Sequence, residues 1–121
     1  MQRVILVVDD NPQIGDMLTQ ALADTNFRVI QVVTVKDGCA YIDELRQDHI
    51  EKVWCDASLR EEDDGEVFVR HYIARGFDPK KLVAASGVPA STQKLIEAGC
   101  PVGLTKKDIM EFCNTQLNID P

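Results

Sequence analysis

Five times along this chain a short, largely apolar run is followed by a polar break and then by apolar residues at helical spacing. An unbroken apolar run lacks the alternation of a strand with one wet face, so each strand it forms must be buried on both sides. A parallel sheet between two layers of helices provides that burial, and right-handed crossovers then give a doubly wound α/β sandwich.

The first run is Val4-Ile5-Leu6-Val7-Val8, followed by Asn11-Pro12 as cap and first helical residue and by Ile14, Met17, Leu18, Ala21 and Leu22 as a buried stripe. Phe27 through Val33 is the second strand, and Thr34 caps a helix whose stripe is Val35, Cys39, Ile42 and Leu45. Val53-Trp54-Cys55 is the third strand, ahead of a helix carrying Val67, Phe68, Tyr72 and Ile73. Leu82-Val83-Ala84-Ala85 is the fourth, with Ser91 capping a helix through Leu95, Ile96 and Ala98, and Gly99 as its left-handed stop. A fifth strand over 101–104 and an amphipathic helix through Ile109, Phe112, Cys113 and Leu117 close the pattern.

Composition narrows the function classes. With 45% hydrophobic residues, 121 positions support one core, and 1–121 is expected to be a single domain. A net charge of −7, with no basic stripe interleaved with aromatics, argues against direct nucleic-acid binding. No apolar stretch is long enough to cross a bilayer, and the first run is too short for a secretion signal. Cys39, Cys55, Cys100 and Cys113 are scattered without metal-ligand pairing, which points to reduced thiols and a cytoplasmic location.

In open α/β sheets ligands sit beyond the carboxyl ends of the strands. There the first strand meets Asp9-Asp10, the third Asp56, the fourth Ser86-Gly87 and the fifth Thr105-Lys106. Three converging carboxylates repel one another unless a cation or shared protons neutralise them. Oxygen ligands without His or Cys fit Mg²⁺, or Mn²⁺ in its place, commonly completed by a phosphoryl oxygen. Lys106 adds a positive charge and Ser86 a hydroxyl donor, and the set meets the needs of phosphoryl transfer to a carboxylate nucleophile. A turn could use Asp9 and Asp10 merely as polar residues, and Ser86-Gly87 is also an ordinary turn pair. Asp56 directly after an apolar strand is costly as a purely structural group.

This ordered set resembles the receiver domain of two-component response regulators, and the resemblance spans essentially the whole chain. It implies a flavodoxin-like (βα)5 sandwich with strand order 2-1-3-4-5 and no output domain. It further implies that Asp9 and Asp10 bind the metal, that Asp56 is both phosphoacceptor and metal ligand, and that the main-chain carbonyl of Ser58 completes the metal site. Ser86 would bond a phosphoryl oxygen and Lys106 would pair with phosphoryl and carboxylate. The implied phosphodonor is a histidine kinase or a histidine phosphotransfer protein docking near the first helix, with a downstream protein target on the face of the fourth helix, fifth strand and fifth helix. Such a domain catalyses only its own phosphorylation and dephosphorylation.

The chain departs from that family in four respects. The aromatic residue usually three positions before the lysine is Gly103, the proline usually after the lysine is Lys107, and the loop after Asp56 carries the acidic run Glu61-Glu62-Asp63-Asp64. The stretch from Ser86 to Lys106 is also slightly short. A glycine cannot fill or vacate a pocket, so a signal would travel through backbone shifts. The alternative is a constitutive protein-interaction module, a pseudo-receiver with an impaired conformational switch. A metal-dependent hydrolase ranks behind both, for want of a second acid suitably spaced after Asp56.

Overall fold

The computed structural model describes residues 3–44, 49–57, 65–86, 92–105 and 108–117. Strands β1 (Arg3–Val8), β2 (Phe27–Val32), β3 (Ile50–Asp56), β4 (Leu82–Ser86) and β5 (Val102–Thr105) form one parallel sheet. Its order is β2-β1-β3-β4-β5, as expected from the sequence. Between and after the strands run α1 (Pro12–Ala21), α2 (Val35–Glu44), α3 (Gly65–Ala74), α4 (Gln93–Ala98) and α5 (Ile109–Glu111), which continues as a π-helical segment, Phe112–Gln116.

Alternate residues of β1, β3 and β4 feed two cores, which is why those runs are apolar. The edge strand β2 carries Arg28 and Gln31 and is only partly buried, not buried on both faces as expected. On one face Leu6, Val8, Val53 and Cys55 meet Val35, Ile42, Phe68 and Leu95 from α2, α3 and α4. On the other, Ile5, Val7, Trp54 and Val83 meet Ile14, Leu18, Ile109 and Phe112 from α1, α5 and its continuation. Each large side chain so enclosed contributes about 1.5–3 kcal/mol of hydrophobic free energy before ordering costs are subtracted.

The caps follow the sequence. Asn11 accepts a hydrogen bond at 3.0 Å from the Gln13 N–H, with Pro12 opening α1, and Thr34 Oγ1 accepts one at 3.0 Å from the Asp37 N–H. Gly99 ends α4 at φ 135°, a conformation L side chains rarely adopt. Leu45 and Ser91 lie outside the described residues.

Three expected core residues are instead exposed: Met17, Val67 and Ile96, at 51%, 55% and 38%. The helices contact the sheet along narrow stripes. On α1 the i, i+4 series Ile14, Leu18, Leu22 fills the contact and leaves Met17 outside it, while Val67 stands about 100° round the helix from the buried Phe68. The last helix is also not the regular one expected. Phe112 and Cys113 are consecutive and both fully buried, and the wider i→i+5 turn accommodates two adjacent inward side chains.

Burial pushes the Cys100 thiol from 9.0 up to about 12 and, with help from the nearby Asp78 carboxylate, raises the Tyr72 phenol above its usual range. The folded chain therefore keeps protons that the unfolded chain releases in alkali. Stability from this source is complete below about pH 9 and is lost as the pH rises toward 12. The urea midpoint, followed by circular dichroism, should fall across that window and fall less steeply in Cys100→Ala; parallel profiles would remove Cys100 as a cause.

Candidate functional site

The β1–β3 ladder sets Val7 level with Trp54 and Val8 level with Cys55. Asp9, just past β1, and Asp56, the last residue of β3, therefore emerge side by side at the carboxyl edge of the sheet. Asp9 and Asp56 are buried, at 0% and 1% exposure, and Asp10 is half-buried. One carboxylate oxygen from each of the three lies within 4.8 Å of the others. Ligands at about 2.1 Å from Mg²⁺ stand at most about 4.2 Å apart across the ion, so a hard divalent cation asks for only a small inward movement. The all-oxygen donor set fits that class of ion and not a soft metal.

Asp9 is held from several sides. Its Oδ1 accepts from the Asn11 N–H at 2.9 Å, and its Oδ2 accepts from the Trp54 indole N–H at 3.1 Å. Its own N–H donates to the Val32 carbonyl at 3.1 Å. Gln31 Nε2 donates to the main-chain carbonyls of Asp9 and Asn11 at 2.7 and 2.9 Å, while Gln31 Oε1 accepts from the Gly15 N–H at 3.0 Å. One amide side chain thus ties the β1–α1 turn to the first turn of the helix.

Around Asp56 the backbone is equally close-packed. The Ala57 N–H donates to the Ala85 carbonyl at 2.8 Å, which carries the β3–β4 ladder past the acid. The first residue of α3, Gly65, lies against the Asp56 main-chain oxygen, where an added Cβ would collide. Ser86, 3% exposed, is the last residue of β4 and pairs in register with Thr105 at the end of β5. Thr105 Oγ1 donates to Asp108 Oδ2 at 2.7 Å. Asp9, Asp10, Asp56 and Ser86 thus share the edge expected of them, while Ser58 and Lys106 lie outside the described residues.

Gly103 proves to have no pocket beside it. A Cβ there would lie 2.9 Å from Thr92 Oγ1, 3.2 Å from Thr92 Cβ and 3.4 Å from Ile96 Cδ1, so α4 occupies the space a larger side chain would need. The helix packed there, α4, has only six residues.

Two contributors escaped the sequence analysis. Gln31 could have been noticed as the one amide in β2, whose other polar residue is Arg28, and Trp54 as a polar-tipped ring two residues before Asp56 and so on the same face of β3.

No protein-family profile matches the sequence, and no curated protein matches it. Solved structures do. A CheY-like response regulator receiver domain protein from Methanospirillum hungatei is 20% identical, with a TM-score of 0.74 over 98% of this chain and 95% of that one. The receiver domain of a sensor histidine kinase from Pseudomonas aeruginosa, solved with magnesium coordinated in its active-site cleft, is 17% identical, with a TM-score of 0.74 over 98% and 100%. A response regulator from Burkholderia pseudomallei, solved with a phosphorylated aspartic acid, a calcium ion and citrate, is 18% identical, with a TM-score of 0.77 over 96% of this chain and 66% of that one. At these identities the likeness concerns fold: this chain has the CheY-like, flavodoxin-like fold of receiver domains.

The two close approaches differ in what blocks them. At Gly65 the obstacle is main chain, and Gly65→Ala should cost about 1–3 kcal/mol. At Gly103 it is largely a rotatable threonine side chain, so Gly103→Ala should cost less. Urea unfolding of both variants checks the order; the reverse order would mean that α4 is the more rigid neighbour.

Proposed function

We propose that this chain is a phosphoryl-accepting signalling domain of a two-component or phosphorelay system, with Asp56 as the acceptor. The observation that carries this reading is the convergence of Asp9, Asp10 and Asp56, two of them buried, at the carboxyl edge of a receiver-type sheet. A bound Mg²⁺ would offset two of the three negative charges and draw charge from the phosphoryl oxygens. Asp9 and Asp10 would hold it, Asp56 would share it, and the Ser58 carbonyl would add a ligand. Mn²⁺ is the expected substitute.

In the transfer step an Asp56 carboxylate oxygen forms a bond to phosphorus as the bond to the donor's imidazole nitrogen breaks, and the electron pair leaves with that nitrogen. Ser86 donates to a phosphoryl oxygen and Lys106 pairs with phosphoryl and carboxylate. The donor is the phosphohistidine of a histidine kinase or histidine phosphotransfer protein, and the recipient of the signal is a downstream protein. The chemistry ends on the domain itself, so the chain turns over no separate substrate. No helix among the described residues is long and apolar enough to cross a membrane, in keeping with the cytoplasmic setting such a donor requires.

A second reading, a constitutive interaction module, draws support from one contact, the closed packing of Gly103 against Thr92 and Ile96. Amide spectra with and without an acyl-phosphate mimic separate the two. Changes reaching α4 and β5 support a switch, and changes confined to the acid pocket support the static module.

Incubated with Mg²⁺ and a small acyl phosphate, the chain should gain the mass of one phosphoryl group, and Asp56→Asn should not. An unmodified wild type, or an equal adduct in the variant, would sink the reading.

A further inference from the structure

The single tryptophan sits where the fold has no structural need of a polar atom. Trp54 is fully buried and faces the core shared by α1 and α5, where an aliphatic side chain would pack without the burden of placing an N–H. Its indole has one donor and no acceptor, and that donor goes to Asp9 Oδ2 at 3.1 Å. Behind it the ring is fixed edge to face against Phe112, with centroids 5.4 Å apart and planes at 81°. The second Asp9 oxygen is taken by the Asn11 N–H at 2.9 Å. Both oxygens of this buried acid are therefore clamped by donors that are themselves held by packing or main chain.

From this we infer that Trp54 is a positioning residue for the divalent cation: its indole N–H presets the Asp9 carboxylate, so that the cation is met by an acid already oriented. The inference rests on the phosphoryl-accepting reading above. Partners of metal ligands orient them in this way, and their loss typically lowers metal affinity by about 10- to 100-fold.

With only one tryptophan in the chain, the indole N–H gives a single, unambiguous resonance. Titration of the wild type with MgCl₂ should move that resonance saturably, with the same midpoint as the amide of Asp10. Trp54→Phe keeps an aromatic ring against Phe112 but lacks the donor. It should weaken Mg²⁺ binding about tenfold, read from the amide shifts, and slow acyl-phosphate uptake at limiting Mg²⁺. At saturating Mg²⁺ the uptake should recover, a pattern that general loosening of the core would not produce.

An indole resonance that stays fixed while the Asp10 amide titrates would overturn the inference, as would wild-type Mg²⁺ affinity in a folded Trp54→Phe. If that variant does not fold, the wild-type titration decides alone. A wild type that forms the phosphoryl adduct with an unmoved indole overturns only the role of Trp54, whereas one that binds no Mg²⁺ and takes no phosphoryl group overturns both readings.

Discussion

The parallel ladder between β1 and β3 decides which acids meet, and one irregularity in it does most of the deciding. Val4 pairs with Ile50 but Ile5 pairs with Lys52, so Glu51 is an extra residue in β3. Without that bulge the first pairing would run on to set Asp9 opposite Cys55, with Asp56 one step further along and on the other face. With it, Val7 meets Trp54 and Asp56 comes level with Asp9. Side chains alternate across a strand, so a slip of one residue is not a small displacement but an exchange of faces. The acid cluster, the indole bond to Asp9 and the approach of Gly65 to the Asp56 carbonyl all presuppose this register.

What could be read from the sequence was what periodicity and strand ends encode. Largely apolar runs repeated five times led to a parallel sheet between helices, while the strand order, as observed, came only from the resemblance carried by the residues at the strand ends. The residue after each run could be assigned to one edge of the sheet because parallel strands all end on the same side, which is how Asp9, Asp10, Asp56 and Ser86 were found. What could not be read depended on distances between elements. The bulge at Glu51 has no local signature in Ile50-Glu51-Lys52. The exposure of Met17 and Val67 follows from how narrow the helix contacts are, and the π-helical turn from two adjacent residues, Phe112 and Cys113, competing for the same face.

Gly103 shows the same limit from the other direction. From the sequence it was an absence, a missing aromatic ring and hence a missing signal path. In the fold it is a contact surface, because Thr92 and Ile96 of the short α4 region close over it. The glycine and the helix position explain each other: a larger residue at 103 would hold α4 away from β5, and α4 in its present place admits nothing larger. Interiors packed this tightly move as discrete rearrangements and not by small elastic adjustments.

The two faces of the sheet are therefore coupled to the acid edge in different ways. On the α4 side, β5 meets its helix through a glycine packed against the Thr92 and Ile96 side chains. On the α1 and α5 side, the contact runs through defined groups: Asp9 to the indole at 3.1 Å, and the indole to Phe112 at 5.4 Å between ring centres. Phe112 begins the π-helical segment, a widened turn in which the backbone bonding is less favourable than in an α-helix. The Asp9 carboxylate thus bears on the Asn11 N–H and on an indole ring that rests against the start of this irregular turn. These contacts lead from the acids toward α5 and its continuation, on the opposite face of the sheet from the packing of α4 on Gly103.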